Sequence, residues 1–185
     1  AHEVAQHLER AGDTERGVDW YLRSAEHFES VGDLPAALDD LRAAERLVGE
    51  QETTPQTRRM LTDIRMRVAD VARRDGRFGP AEDTLRAVRE DVDQLDDPVL
   101  AAEVARLLGE VTLHGAKLDE SRKHFDRARM LFEANDAPER ALRAAIGDAD
   151  SYRYQGRNAE ADNRFRRLVE RARELGAPDL EGRCR

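Results

Sequence analysis

PVLAAEVARLLGEVTLHGAKLDESRKHFDRARMLFEA, residues 98–134, and PERALRAAIGDADSYRYQGRNAEADNRFRRLVERARE, residues 138–174, carry one pattern twice, forty positions apart. Pro98, Pro138 and Pro178 fall in register, each after Asp or Ala. Ala116 falls on Gly156, and on Gly76 one period earlier. Phe125 falls on Phe165 and on Leu85, and Glu120 on Glu160. Leu118 falls on Asn158, so the match is imperfect. An internal period of this length is the mark of a repeat architecture.

Each copy reads as two helices. Proline at a first helical position costs nothing, because that N–H has no intrahelical partner. The first helix then runs from Pro98 to about His114, and again from Pro138 to about Gln155. The small residue at 116 or 156 ends it in a tight turn. The second helix covers Leu118–Ala134 and Asn158–Leu175, where Phe125, Ala128, Leu131 and Phe132 recur with helical spacing. Working backwards, the same pair covers about Pro55–Asp75 and Phe78–Leu95. The N-terminal third is less regular. Gly12-Asp13 and Gly32-Asp33 are turn signals twenty residues apart. Between them lies a helix over Thr14–Val31 with Val18, Tyr21, Leu22 and Ala25 on one face. After them comes a helix with Leu34, Leu38, Leu41 and Ala44. Val48–Thr54 reads as a linker or kink. No segment alternates with the period of a strand. The expected units are 1–31, 14–50, 55–95, 98–135 and 138–175, with 178–185 opening another. Ala1 begins inside an amphipathic helix without a cap, so residues 1–185 are expected to be one array cut from a longer chain.

Composition agrees. Of 185 residues, 38% are charged, 39% hydrophobic and 5% aromatic, with a net charge of −8. Globular domains average about 25% charged residues. Disorder or a large helical surface would explain the excess, and the periodicity selects the second. No apolar run approaches the roughly 20 residues of a membrane span, and AHEVAQHLER lacks signal-peptide architecture. The lone Cys184 can form neither an intrachain disulfide nor a cysteine metal site, which fits a reducing cytoplasm. Only Lys117 and Lys123 are lysine; the other 29 basic residues are arginine. That bias fits a G+C-rich genome. Arg58, Arg59, Arg65, Arg67, Arg73 and Arg74 crowd one helix, and Arg164, Arg166, Arg167, Arg171 and Arg173 another. Asp63, Asp70, Glu170 and Glu174 are in reach to pair with them. Residues 1–92 hold 14 basic and 20 acidic side chains, and residues 93–185 hold 17 and 19. Neither half is basic, which argues against nucleic acid as a partner.

These residue choices resemble the tetratricopeptide repeat. That family sets small residues where the two helices of a unit cross, an aromatic or leucine in the second helix, and alanine three residues on. Leu108-Gly109, Ala116, Leu118, Phe125 and Ala128 match it in the fourth unit. Val68-Ala69, Ala72, Gly76, Phe78, Ala81, Leu85 and Val88 match it in the third, and Ala149, Tyr152, Gly156, Ala161, Phe165 and Leu168 in the fifth. Gly12, Tyr21 and Ser24-Ala25, then Gly32, Leu34, Ala37, Leu41 and Ala44, look like second-helix signatures. The period departs from the family's usual one of about 34 residues. The resemblance implies an all-α solenoid of antiparallel helix pairs in a right-handed superhelix. More distantly, the opening 28 residues resemble helices that follow the ATPase module of large bacterial signalling ATPases and transcriptional regulators.

Catalytic signatures do not emerge. HEVAQH would need its second histidine at i+4 for a zinc-protease helix, and Gln6 stands there. Gly76 and Gly79 flank a turn and belong to no phosphate loop. No serine lies in a nucleophile elbow, and Cys184 has no histidine nearby in sequence. His27, His114 and His124 stand isolated. Trp20 and Tyr21 read as packing residues. No catalytic residue, cofactor or metal is expected.

A solenoid binds along the concave surface of its stacked units, and the family resemblance assigns that surface to first helices. Transferred onto this chain, it comprises Asp63, Met66, Asp70, Arg73 and Arg74, then Glu103, Arg106, Glu110, Leu113 and His114, then Arg143, Ile146, Asp150, Arg153 and Tyr154. Asp70, Glu110 and Asp150 form one ladder; Arg73, Leu113 and Arg153 form another. Two readings stand. The ladders make a mixed-charge groove for a peptide or helix, anchored by Arg73, Arg153 and Tyr154. Alternatively, Asp70–Arg73 and Asp150–Arg153 pair within their own helices. Repeat domains that grip chaperone C-termini resemble one another in using Asn and Lys here, and acids in this chain argue against that partner. The expected function is a non-catalytic protein-interaction module of a larger cytoplasmic bacterial signalling or transcription-regulating protein. Its partners would be proteins, peptides or neighbouring domains of the parent chain, with homodimerisation through apolar end faces as an added route. A sensor for a peptide or small ligand in the groove is the alternative.

Overall fold

The computed structural model describes residues 1–93 and 95–184, Asp93 by its backbone alone. The described residues form ten helices and no strand. They are α1 (His2–Arg10), α2 (Thr14–Val31), α3 (Leu34–Gly49), α4 (Pro55–Arg74), α5 (Phe78–Asp93), α6 (Pro98–His114), α7 (Leu118–Ala134), α8 (Pro138–Tyr154), α9 (Asn158–Glu174) and α10 (Pro178–Cys184). The helix ends expected at Asp75, Gln155 and Leu175 each fall one residue earlier, where those residues become C-caps. The expected end of α5 runs across Gln94, and 178–185 ends on Arg185; both residues lie outside the described ones. Packing gathers the chain into two compact units, Ala1–Asp91 and Val92–Arg185.

Local chemistry sets the ends. The side chains of Asp13, Asp33 and Asp97 accept hydrogen bonds from the backbone N–H of Arg16, Ala36 and Leu100. Each such cap contributes about 1 kcal/mol. Thr54 and Thr57 bond reciprocally to open α4. The expected linker shrinks accordingly: Val48 and Gly49 finish α3, and Val48 is buried in the core. The turns after α4 and α8 use Gly76 and Gly156 at φ 80° and 74°. Ala116, their register mate, holds φ 61°, a left-handed conformation that costs a residue with a Cβ roughly 1–2 kcal/mol.

In the first unit, α1 buries a single side chain, that of Ala5, where Gly17 of α2 lets the helices approach. Polar contacts do the rest. Glu9 accepts from the Tyr21 hydroxyl at 2.6 Å and from Arg46 at 2.7 Å. His2 Nδ1 lies 2.6 Å from Oδ1 of Asp40, whose Oδ2 is buried with no partner. The Tyr21 and Arg46 bonds hold the Glu9 carboxyl below its usual range. Burial first, and the bond to Glu9 second, push the Tyr21 phenol up to about 12. Glu9 therefore stabilises the fold at neutral pH and stops doing so as pH falls through its depressed pKa. The neutral phenol of Tyr21 contributes until the pH rises from 10 through about 12.

In the second unit α7 packs between α6 and α8, and Phe125 is the reason they come so close. Its ring lies against Gly109 of α6 and Gly147 of α8. A Cβ at either glycine would meet ring carbons at 2.7 Å and 2.4 Å respectively. Phe125 is almost wholly buried. Hydroxyls line the same crossing: Ser121 donates to the Gly109 carbonyl at 2.8 Å, and Ser151 to that of Gly147 at 3.2 Å. Two turns on, Phe132 packs among Ala102, Ala105, Ala128, Ala141 and Ala144. A further cluster of Leu142, Ile146, Ala172, Leu180 and Cys184 seats α10 on α8 and α9.

Two outcomes follow. Gly147→Ala should destabilise the protein by about 1–3 kcal/mol in urea unfolding, as overpacking does. Gly109→Ala should cost less. Gly49→Ala, in open space on a helix, should be neutral or stabilising by up to about 1 kcal/mol. Equal effects at all three would contradict the crossing. In a ¹³C-tyrosine NMR titration, one phenol should titrate near 12, and Glu9→Ala should lower its midpoint. An unmoved midpoint would contradict the docking of α1.

Candidate functional site

The helices opened by proline, α4, α6 and α8, carry all the residues selected by register. In the first unit Arg73 donates from Nε and Nη2 to one oxygen of Asp70, at 3.1 and 2.7 Å. In the second, Arg153 donates to Asp150 at 2.6 Å. Asp70–Arg73 and Asp150–Arg153 thus pair within their own helices. Arg106 goes further, bridging Glu103 and Glu110 at 2.5 Å each with little of its side chain exposed. Met66, Leu113 and Ile146 turn into the core. Asp63, Arg74 and Arg143 are exposed, although Arg74 reaches back to Glu29 at 2.5 Å.

The structure does bring His114 and Tyr154 together. The rings meet edge to face, centroids 6.2 Å apart at 88°. His114 is therefore not isolated, as its sequence neighbourhood suggests; it sits beside the next first helix. Tyr154 leaves 54% of its surface open. Arg153, its neighbour, extends over the Phe165 ring at 5.7 Å. Asp150 lies below, its carboxyl pushed above the usual aspartate value by burial and drawn down by Arg153, Arg183 and His114. An exposed aromatic, an arginine and a half-buried carboxylate are the ingredients of a polar-rimmed anchor point.

A second constellation escapes sequence reading. The Tyr152 hydroxyl accepts from Arg122 of α7 at 2.6 Å and Arg164 of α9 at 2.8 Å. The guanidinium groups of Arg122, Arg157 and Arg164 all stack on its ring, 4.1–4.6 Å from the centroid. Asp148 accepts from Arg164 at 2.8 Å, and burial raises its carboxyl above the usual value against the pull of Arg164 and Arg122. Asp148 and Asp150 therefore favour the fold most when protonated, and that contribution fades as pH rises through the raised values. The cluster lines a cleft of about 570 Å³ with Asp119, Lys123 and Asp126. One signal was available. Register places Tyr152 where the preceding units have Ala72 and Thr112, so a large polar ring stands where small residues are the rule.

The other arginine clusters are largely engaged. Arg65 spans Glu45 and Asp91, Arg67 bonds Glu29, and Arg171 and Arg173 hold Glu174 and Glu181. Cys184 is buried, which pushes its thiol up rather than activating it. Among the described residues, no group of three or more His, Cys, Asp or Glu is placed to hold a metal ion. Nor is any helix among them long and apolar enough to cross a membrane.

No protein-family model and no curated protein matches the sequence. Solved structures do match. A Rap protein complexed with competence and sporulation factor superposes on the whole chain with a TM-score of 0.75 at 14% identity. TPR-like repeats of a kinesin light chain from Podosopora anserina match 95% of it, with a TM-score of 0.68 at 11% identity. A signal transduction ATPase with a tetratricopeptide repeat sensor, from Pyrococcus horikoshii, matches 97% of it, at 0.70 and 12%. The chain spans 56% of the Rap protein, 94% of the kinesin repeats and 30% of the ATPase. Identity this low speaks of architecture rather than activity. The chain has the fold of the tetratricopeptide-like helical repeat proteins.

Proposed function

We propose that this chain is a non-catalytic protein-interaction module that takes a peptide segment on the exposed faces of its first helices. In this reading it is the regulatory or sensing part of a larger cytoplasmic bacterial signalling or transcription-regulating protein. The observation that carries the reading is Tyr154. It is a large aromatic left half open beside His114, Arg153 and Asp150, on a helix whose other large apolar side chains, Leu142, Ile146 and Tyr152, are buried. Aromatic and arginine side chains are the usual anchors of protein interfaces. Two proteins of the same fold are described by regulatory terms, one complexed with a sporulation factor and one with a repeat array named as a sensor. The in-helix pairing of Asp70–Arg73 and Asp150–Arg153 does not remove these groups from use. It presents each as a fixed dipole rather than a free charge.

Peptides selected from a displayed random library against the full chain should bind saturably. Hydrogen exchange should then show protection concentrated on the open faces of α2, α4, α6 or α8. Tyr154→Ala and Arg153→Ala should weaken peptides that protect α6 and α8 by about tenfold or more. Protection confined to α3, α5, α7 and α9 would contradict the reading.

A further inference from the structure

An apolar slot between α2 and α4, at Leu22, Met60 and Ile64, is part of the first-helix surface. The cleft over Tyr152 is not. Two second helices wall it, α7 through Arg122 and Lys123 and α9 through Arg164, and Asp148 and Tyr152 of α8 make its floor. Asp119 and Asp126 stand exposed at its rim. Tyr152 and Tyr154 are two positions apart, about 200° round the helix. The cleft and the open Tyr154 ring therefore use opposite faces of α8.

Hydrogen-bond donors converge in this cleft without an anion to match them. The Tyr152 side chain is buried, and its neutral oxygen accepts from two guanidinium groups at once. The phenol's own proton has no acceptor among the described residues. Nε of Arg122 is buried with no hydrogen-bond partner and meets Asp148 only at 3.7 Å. Lys123 is exposed and makes no ion pair with any described residue. The nearby acids are better served. Glu160 holds Arg157, and Asp126 holds Arg129 at 2.6 Å. Asp119 accepts from the Gln155 amide at 3.4 Å, out at the rim. Asp148 is left alone between Arg122 and Arg164. The charge left over in the cleft is therefore positive, in a chain whose net charge is −8.

Guanidinium groups make their strongest bonds to carboxylate and phosphate oxygens. Here the donors come from three helices and surround a point, which suits a tetrahedral oxyanion better than a planar one. The cleft, about 570 Å³, is larger than a phosphate and falls in the range of small-molecule sites. The rim carboxylates would accept hydrogen bonds from hydroxyl groups. We propose that this cleft binds a small organic phosphate, its phosphoryl oxygens taken by Arg122, Arg164, Lys123 and the Tyr152 O–H, and its hydroxyl-bearing remainder facing Asp119 and Asp126. The site is separate from the peptide surface at Tyr154, so the two readings fail separately.

Asp148 ties binding to pH. Arg122, Asp126 and Arg129 face it from α7 and Arg164 from α9, and burial raises its carboxyl above the usual aspartate value. An incoming anion competes for both of its arginines and raises it further. Binding therefore takes up a proton and tightens as pH falls.

Isothermal titration calorimetry of the full chain at constant ionic strength tests the site. Inorganic phosphate and glycerol phosphate should bind saturably, the ester at least as tightly, and neither glycerol nor acetate should compete. Lys123→Glu, at an exposed side chain, should weaken both phosphates by about tenfold or more. Tyr152→Phe, which keeps the ring, should weaken them less, and Tyr154→Ala should leave them bound. Unchanged circular dichroism melts will separate lost binding from lost fold. Sulfate keeps one charge state between about pH 8 and about pH 5, so its affinity reports on the protein. It should rise on acidification, and Asp148→Asn should bind sulfate more tightly at the upper pH and lose the dependence. Absence of saturable binding overturns the proposal. So does acetate that competes as well as phosphate, an ester excluded where inorganic phosphate binds, or phosphate binding indifferent to both Lys123→Glu and Tyr152→Phe.

Discussion

The Phe125 ring pressed against Gly109 and Gly147 is the contact on which the second unit depends. Helices approach to about 8 Å only where the crossing residues are small. Here the small residues sit on α6 and α8, and the large one is supplied by α7. The hydroxyls of Ser121 and Ser151 satisfy themselves on the carbonyls of those same glycines, so neither is stranded by the close approach. The neighbouring contact is lined by alanines around a single ring, that of Phe132. That is why a chain with 5% aromatic residues can still bury a core.

The same shallow cores explain the charge. Helix pairs of this kind leave a broad face of most helices in water, and 38% charged residues is what such a surface carries. The arginines are used structurally more than chemically. Arg65, Arg67 and Arg74 tie separate helices of the first unit to one another, and Arg122 and Arg164 clasp Tyr152 in the second. Exposed pairs of this kind are worth at most about 1 kcal/mol each, but they fix long side chains in place. Surfaces left open include Tyr154 with His114 and the cleft at Tyr152 in one unit, and the slot at Met60 in the other.

Helix ends were legible because the punctuation is local. Proline at positions 55, 98, 138 and 178 marks four of the starts, and the small residues at 76, 116 and 156 mark three of the stops. Asp70, Glu110 and Asp150 were legible as a ladder, and so was the alternative that two of them pair in their own helices. The rest depends on contacts that no local window contains. Gly147 reads as an ordinary helix residue until Phe125, 22 positions earlier, is set against it. The Tyr152 clasp draws on three helices. The slot at Met60 arises because α3 brings α2 beside α4, in the N-terminal third where the period of forty breaks down. Val48, assigned to a linker by its Gly and polar neighbours, was claimed by the core instead.

The account stands or falls on helix crossings built from small residues around a single ring. Proton NMR of the isotope-labelled chain tests this most directly. It should show nuclear Overhauser contacts from the Phe125 ring protons to the α-protons of both Gly109 and Gly147, with those α-protons displaced from their random-coil shifts by the ring current. Contacts to one glycine only, or unshifted α-protons at both, would contradict it.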